Sequence, residues 1–457
     1  MSPNLQFCIS GIVDCSICRI IVTVLVLAPL PSAAQEPLTL EGAVQAALGH
    51  NASLRAARAG VDEAAAHAAE ARSGFFPRLS VTESWQRGDE PVFVFSSLLS
   101  SRQFAANNFA IDALNHPSPT GFFRTTVGVE QLLFDGGRQR AAAAAASLRR
   151  DVVETSTDEA AATLALVTTE TFGQVMNAEA RRRAADAGLA AAREDLARAE
   201  RRRDTGVATD ADVLALVVHV ADLQQRAIQS EGDAATARAE LNRLMGSPID
   251  AAVQVVEPSS VALDDVGERL NVATLLAEAD AARPELKRAL VAEEVASATQ
   301  RQARAALIPR VAAQAAFDFS GTQFSDRASA WIVGGELRWT FSTGGAELAG
   351  MKASAASIAR TRAEADDARA AVHVEVVSAL RRLETARARR DAGRAAIDQA
   401  RESQRIIRDR FEAGIASVND VLRASTALLD ADANRVASLI DTMVATAMLR
   451  RALGRTP

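Results

Sequence analysis

Arg203-Asp204-Thr205-Gly206 followed six residues on by Asp212-Val213-Leu214 is one of two matching stretches. The other runs from Arg410 through Gly414 to Asp420-Val421-Leu422. Gly206 and Gly414 are 208 residues apart, and so are the two Asp-Val-Leu triplets. Working outward, Gly136-Gly137 and Gly344-Gly345 keep that offset, as do Gly246 and Gly454. Nearer the N-terminus the offset becomes 232, from Leu54-Arg55 to Leu286-Lys287 and from Pro77 to Pro309. The difference, 232 − 208 = 24, is a net insertion in the first half between Pro77 and Gly136. Two long copies with the same punctuation in the same order mean one architecture built twice. The repeat is too long for a solenoid unit, and its pseudo-symmetry suits a tube or pore better than a single catalytic cleft.

Between the glycines the chain is helical in character. Ala, Arg, Glu, Leu and Val dominate, and these are mostly strong helix formers. From Gly137 to Thr205 there is no proline, which predicts a helix roughly 100 Å long at 1.5 Å per residue. A second helix ends at Gly246-Ser247-Pro248, a stop signal. The second half repeats both, from Ala346 to about Ala413 and from Val418 to Gly454. Leu422, Leu429, Val436 and Met443 recur every seven residues, the seam of a coiled coil. Shorter helices are expected over Leu40 to Gly74 and Arg283 to Leu307, ending before Pro77 and Pro309. The segment from Asp250 to about Asp280 reads as a short strand and loops.

The aromatic residues are segregated. Of 16 Phe, all but Phe7, Phe172 and Phe411 lie in windows 75–134 and 317–341 together with Trp85, Trp331 and Trp339, and the chain has no Tyr. In the second window Trp331, Val333, Gly335, Leu337, Trp339 and Phe341 alternate with Ile332, Gly334, Glu336, Arg338 and Thr340. Upstream, Val311, Ala313, Ala315, Phe317 and Phe319 alternate with a more polar set, and the first window shows the same over Phe123 to Leu133 and, more weakly, Leu79 to Gln86. Period two with one apolar face predicts four strands, two per half. Four strands cannot close around a lumen, and an open sheet leaves exposed edges. In an exported chain the economical answer is a membrane barrel shared between subunits. The inserted segment, about Asp89 to Gly121, is then the long loop at the outer mouth.

The net charge is −6, and Arg alternates with Asp and Glu, so no nucleic-acid partner is indicated. Cys8, Cys15 and Cys18 are the only cysteines. Arg19, the apolar run Ile20 to Leu30 and the small residues Ser32-Ala33-Ala34 read as an export signal over residues 1–34. The expected organisation is that signal, a first repeat over 35–248, a linker over 249–282 and a second repeat over 283–457. His50, His67, His116, His219 and His373 form no metal-ligand pair. Gly136, Gly137, Gly344 and Gly345 lack the remainder of a phosphate loop and read as strand-to-helix turn glycines. No catalytic residue, cofactor or metal is indicated. The fold class is α+β: an internally duplicated α-helical barrel plus four strands contributing to a transmembrane β-barrel shared between subunits. A periplasmic coiled-coil adaptor or structural protein without a pore is the other reading.

Gln131-Leu132-Leu133-Phe134-Asp135-Gly136-Gly137 before a long helix, and the pattern Arg-x-x-x-Gly-x-x-x-x-x-Asp-Val-Leu after it, occur in this order over essentially all of Glu36 to Leu453. In this the chain resembles the outer-membrane efflux proteins of the TolC family. The resemblance implies a homotrimer in the outer membrane of a Gram-negative bacterium, its three sets of four strands making a trimeric twelve-stranded transmembrane β-barrel and its helices continuing the barrel as a periplasmic tunnel. Implied partners are outer-membrane lipid, a periplasmic adaptor and an inner-membrane pump of an efflux or type I secretion system. It also implies that the turns with Arg203, Gly206, Arg410 and Gly414 meet the adaptor at the tip, and that Asp212 and Asp420 line or lock the periplasmic aperture. A helix N-terminal role for the two aspartates stands beside the gate role. Phe411, Ala416 and Arg423 stand where some members carry Tyr, Arg and a second aperture Asp.

Overall fold

The computed structural model describes residues 37–206, 209–257, 271–340 and 342–455. The expected export signal and Phe341 lie outside them. The first repeat opens with helices α1 (Leu40–His50) and α2 (Ala52–Ser73). Strand β1 (Arg78–Gly88) and the inserted segment follow, and the segment contains α3 (Pro91–Ser100) and α4 (Ile111–Asn115). Strand β2 (Thr120–Phe134) leads into α5 (Arg138–Asp204) and α6 (Asp210–Met245). The second repeat has α7 (Val272–Ala282), α8 (Pro284–Ala305), β3 (Arg310–Gln323), β4 (Asp326–Arg338), α9 (Ala346–Glu412) and α10 (Val418–Ala452). The long helices α5 and α9 are both 67 residues, so each is roughly 100 Å long.

The strands form one antiparallel sheet in the order β1-β2-β3-β4. Its register sorts the side chains. Trp85 pairs with Phe123, Val127 with Val81 and Phe317, and Phe317 with Trp331. Since directly opposed residues share a face, Leu79, Val81, Trp85, Val129, Phe319, Val333 and Leu337 fall on the same side. The opposite side carries Ser80, Thr82, Ser84, Arg124, Glu130, Gln314 and Asp318, with Thr126 Oγ1 donating to Asp318. The apolar face is open: Trp331 is 73% exposed and Leu337 68%.

Helices continue the strands without changing the order. At the sheet end α2 packs on α5, α5 on α8, and α8 on α9; at the far end α6 packs on α5, α5 on α10, and α10 on α9. Each helix next to the sheet joins the strand above it, so the wall reads β1/α2, β2/α5, β3/α8, β4/α9. Among the described residues, β1 and β4 have no outer strand neighbour.

The halfway belt shows the duplication best. One apolar cluster gathers Ala43, Phe172, Val175, Leu241 and Met443 around α1, and another gathers Leu275, Val376, Leu380, Leu383 and Leu449 around α7. Helix α7 stands 232 residues after α1, so it is the second copy of α1. This corrects the reading of 250–280 as strand and loops. The only strand-like pairing there among the described residues is a bridge from Leu38 to Val255. The expected single helix Leu40 to Gly74 is likewise broken, at Asn51 (φ −60°, ψ 131°). Its Oδ1 accepts from the Ser53 and Leu54 amides at 2.9 and 3.3 Å, capping α2. Gly246 and Gly454 both have positive φ, and an added Cβ would meet His50 and Ala282 backbone at 2.6 and 2.8 Å. His50 and Ala282 are themselves 232 apart.

The strand-to-helix turns are less symmetric. Gly136, Gly137 and Gly345 have φ of +69°, +86° and +71°, whereas Gly344 is not left-handed. Only one glycine of the second pair is there for its backbone conformation.

Candidate functional site

The turns at Gly206 and Gly414 lie at the end of the helices farthest from the sheet. Helix α5 ends at Asp204 and Gly206 turns the chain with φ +74°; α9 ends at Glu412 and Gly414 turns it with φ +76°. A side chain with a β-carbon resists that conformation. Helix α6 then starts from Thr209 and α10 from Ser417, each in a capping box.

Those boxes place Asp212 and Asp420. The Asp212 carboxylate accepts from the Thr209 amide at 3.1 Å and its hydroxyl at 2.8 Å. Asp420 does the same with Ser417 at 2.9 and 2.7 Å. The hydroxyl bond, then the backbone bond, hold both carboxyls below the usual aspartate range. Both are therefore ionised at neutral pH, and both sit at a helix N-terminus, where negative charge is favoured. The Thr-x-x-Asp and Ser-x-x-Asp patterns were readable as capping boxes, although sequence reasoning named only the aspartates.

The turns are held against each other. Ala199, Val213, Leu216 and Val418 form a small buried cluster, with Leu196, Phe411 and Leu422 packed on it. Polar links surround it: Arg198 to Glu412 at 3.1 Å and Arg408 to Asp195 at 3.7 Å. Burial pushes the Asp195 carboxyl up, against the pull of Arg408 and Arg198. The main link is Arg202, which donates to the Phe411 carbonyl at 3.0 Å and lies over the Phe411 ring at 5.1 Å. Sequence reasoning singled out Arg203, but Arg202 is the residue 208 before Arg410. Arg203 instead pairs with its neighbour Asp204 at 2.8 Å, and Arg410 is exposed, its carbonyl accepting from the amides of Ile415 and Ala416.

Among the described residues no helix is long and apolar enough to cross a membrane. The surface suited to lipid is the outer face of the sheet. A membrane-facing sheet prolonged by a duplicated helical wall is a segment of a channel wall. The profile of the family described as outer membrane efflux protein matches residues 43–247 and 275–455, and the chain belongs to that family. It is thus an outer-membrane protein of the TolC-like channel class.

Solved structures share the fold. CusC superposes with TM-score 0.76 at 17% identity, covering 94% of this chain and 97% of that one. The Campylobacter jejuni CmeC outer membrane channel gives 0.76 at 16% identity, covering 99% and 94%. The outer membrane protein VceC of Vibrio cholerae gives 0.72 at 18%, covering 91% and 96%. No curated protein sequence matches the chain.

Proposed function

We propose that the protein is the exit duct of a tripartite efflux or type I secretion assembly. Three copies close a twelve-stranded barrel in the outer membrane, and their helices form one tunnel reaching toward a periplasmic adaptor and an inner-membrane pump. The observation that carries this reading is the open wall. Sheet and helices end together, at β1 with α2 and α6 on one side and at β4 with α9 on the other. Strand β1 runs away from the helices and β4 runs back toward them, so β4 of one copy meets β1 of the next antiparallel. Closure removes every edge and gives the even strand number of bacterial barrels. An adaptor without a pore does not account for the exposed Trp85, Trp331 and Leu337.

In this reading the tip turns with Arg203, Gly206, Arg410 and Gly414 are the docking surface, and Asp212 and Asp420 ring the aperture three times each. The duct passes solutes and performs no catalysis. The test is the mass of the detergent-solubilised protein by light scattering, followed by bilayer reconstitution. A trimer that conducts ions is expected. A folded monomer, or a trimer without conductance, defeats the proposal.

A further inference from the structure

Helices α1 and α7 fix which side of the wall is the outside. Helix α1 packs on α5 and α6, and α7 on α9. In the trimeric duct, α5, α6, α9 and α10 of three copies give twelve wall helices. Packed about 10 Å apart, their axes stand about 19 Å from the centre. Subtracting about 5 Å of helix leaves a bore of about 14 Å radius. Six belt helices, each about 10–12 Å across, would fill that bore. The belt therefore lies outside, and the opposite face of the wall looks into the lumen.

On α9 the outer side is marked by Arg369 and His373, which reach Asp280 of α7 at 3.6 and 3.0 Å. At 3.6 residues per turn, Arg382, Thr385 and Arg389 lie on the side away from α7. They line a groove of about 480 Å³ between α9 and α10, a volume in the range of small-molecule sites.

The groove is apolar on one side and basic on the other. Helix α10 contributes Val444, Met448 and one acid, Asp441. The buried Ala386 and Ala445 make the floor. Asp441 lies 3.9 Å from Arg389, and Arg381 on the rim pairs with Glu384 at 2.8 Å. Among the described residues Arg382 has no carboxylate partner. Its guanidinium lies instead 3.7 Å from Met448 Sδ. One uncompensated cation thus stands beside an apolar patch.

That cation is not inherited from the duplication. Arg389 and Asp441 keep their types 208 residues earlier, as Arg181 and Asp233. Arg382, Val444 and Met448 are matched there by Gln174, Thr236 and Glu240. The second repeat alone combines a free cation with apolar neighbours.

We propose that this groove is a transit site for amphiphilic organic anions. The solute sets a carboxylate, sulfonate or phosphate group on Arg382 and lays its apolar body against Val444 and Met448. This names a substrate class for the duct and rests on that reading. A site within a conduit must also release what it holds, and an open groove with a single solvated cation binds weakly enough to do so.

The probe is naphthalene-2-sulfonate, read as current block in planar bilayers that hold the trimer. Block is expected, with far less from naphthalene-2-methanol, which is neutral, or from inorganic phosphate, which has no apolar body. Arg382→Gln should weaken the block about threefold or more, and Arg382→Lys should retain most of it. Met448→Glu should weaken it as well, whereas Asp441→Asn should strengthen it. A conducting trimer that shows no block, blocks equally with the neutral analogue or phosphate, or is blocked equally after Arg382→Gln overturns the site and leaves the duct standing. A monomer, or a trimer without conductance, overturns the duct and the site with it.

Discussion

Asn51 and Arg283 occupy the same place in the two repeats, 232 residues apart. Each breaks a helix pair, and each sends its side chain to a carbonyl near the end of its repeat's last helix. Asn51 Nδ2 donates to Leu244 at 2.9 Å, and Arg283 donates to Arg451 at 2.9 Å. The chemistry has diverged while the geometry has stayed. Arg283 also pairs with Glu375 at 2.6 Å and Glu285 at 2.9 Å, with its side chain 3% exposed.

The two substitutions should therefore differ in cost. Arg283→Ala removes a buried charged hydrogen bond to the Arg451 carbonyl and leaves Glu285 and Glu375 to Arg451 alone, at 3.7 and 2.7 Å, which costs about 2–3 kcal/mol. Asn51→Ala loses a cap and one neutral hydrogen bond, about 1–2 kcal/mol. Thermal unfolding of the solubilised protein, with hydrogen exchange at the C-terminal ends of α6 and α10, separates them. Equal losses would contradict the assignment.

Gly136→Ala and Gly344→Ala should part company despite their matching sequence positions. At Gly136 an added Cβ would come 2.7 Å from Ile308 Cβ, on a backbone with φ +69°, so more than about 1 kcal/mol is lost. At Gly344 nothing lies nearer than Ser342 Oγ at 3.7 Å, and the change should stay within about 0.5 kcal/mol. The yield of assembled protein in the outer membrane is the measurement.

Arg202→Ala should loosen the tip. It removes a charged hydrogen bond worth about 1.5–3 kcal/mol and a cation–π contact worth about 0.5–1 kcal/mol. Phe411→Leu keeps the carbonyl and loses only the ring. Conductance in planar bilayers should rise more for Arg202→Ala than for Phe411→Leu, and Arg203→Ala should leave it unchanged.

Asp212 and Asp420 can be tested as charge and as cap separately. Asn retains an acceptor for Thr209 or Ser417 but no charge, whereas Ala retains neither. Asp→Asn at both sites should reduce cation preference with little effect on hydrogen exchange in the first turns of α6 and α10; Asp→Ala should change both and raise conductance. The folded carboxyls titrate below their unfolded values. Their contribution to stability is thus full above about pH 4, near the unfolded value, and is lost as pH falls through the lower folded values. Cation preference measured from pH 8 down to pH 5 should accordingly stay flat.

The duplication, the four strands and the ends of the long helices were legible because each rests on local chemistry. Glycines held at positive φ, such as Gly206 and Gly414, prolines before strands and period-two aromatics all act within a few residues. What stayed hidden depends on distant partners. The break at Asn51 combines a local cap with a bond to the carbonyl of Leu244, 193 residues away. Helix α3 begins Pro91-Val92-Phe93-Val94-Phe95, a β-prone run made helical by packing on β3. The repeat spacing matches Arg202 rather than Arg203 to Arg410, but what Arg202 does is decided by the Phe411 ring and carbonyl on the other turn.

The confinement of Trp85, Trp331 and Trp339 to β1 and the β4 end, in a chain without Tyr, has an optical consequence. The helical tunnel is silent in tryptophan emission, so intrinsic fluorescence reports on the sheet alone. Because Trp85 and Trp331 stand on the outer face, insertion into a bilayer should shift their emission to the blue and expose them to quenching by brominated acyl chains. Membrane entry can thus be followed without a label while the rest of the molecule contributes no background.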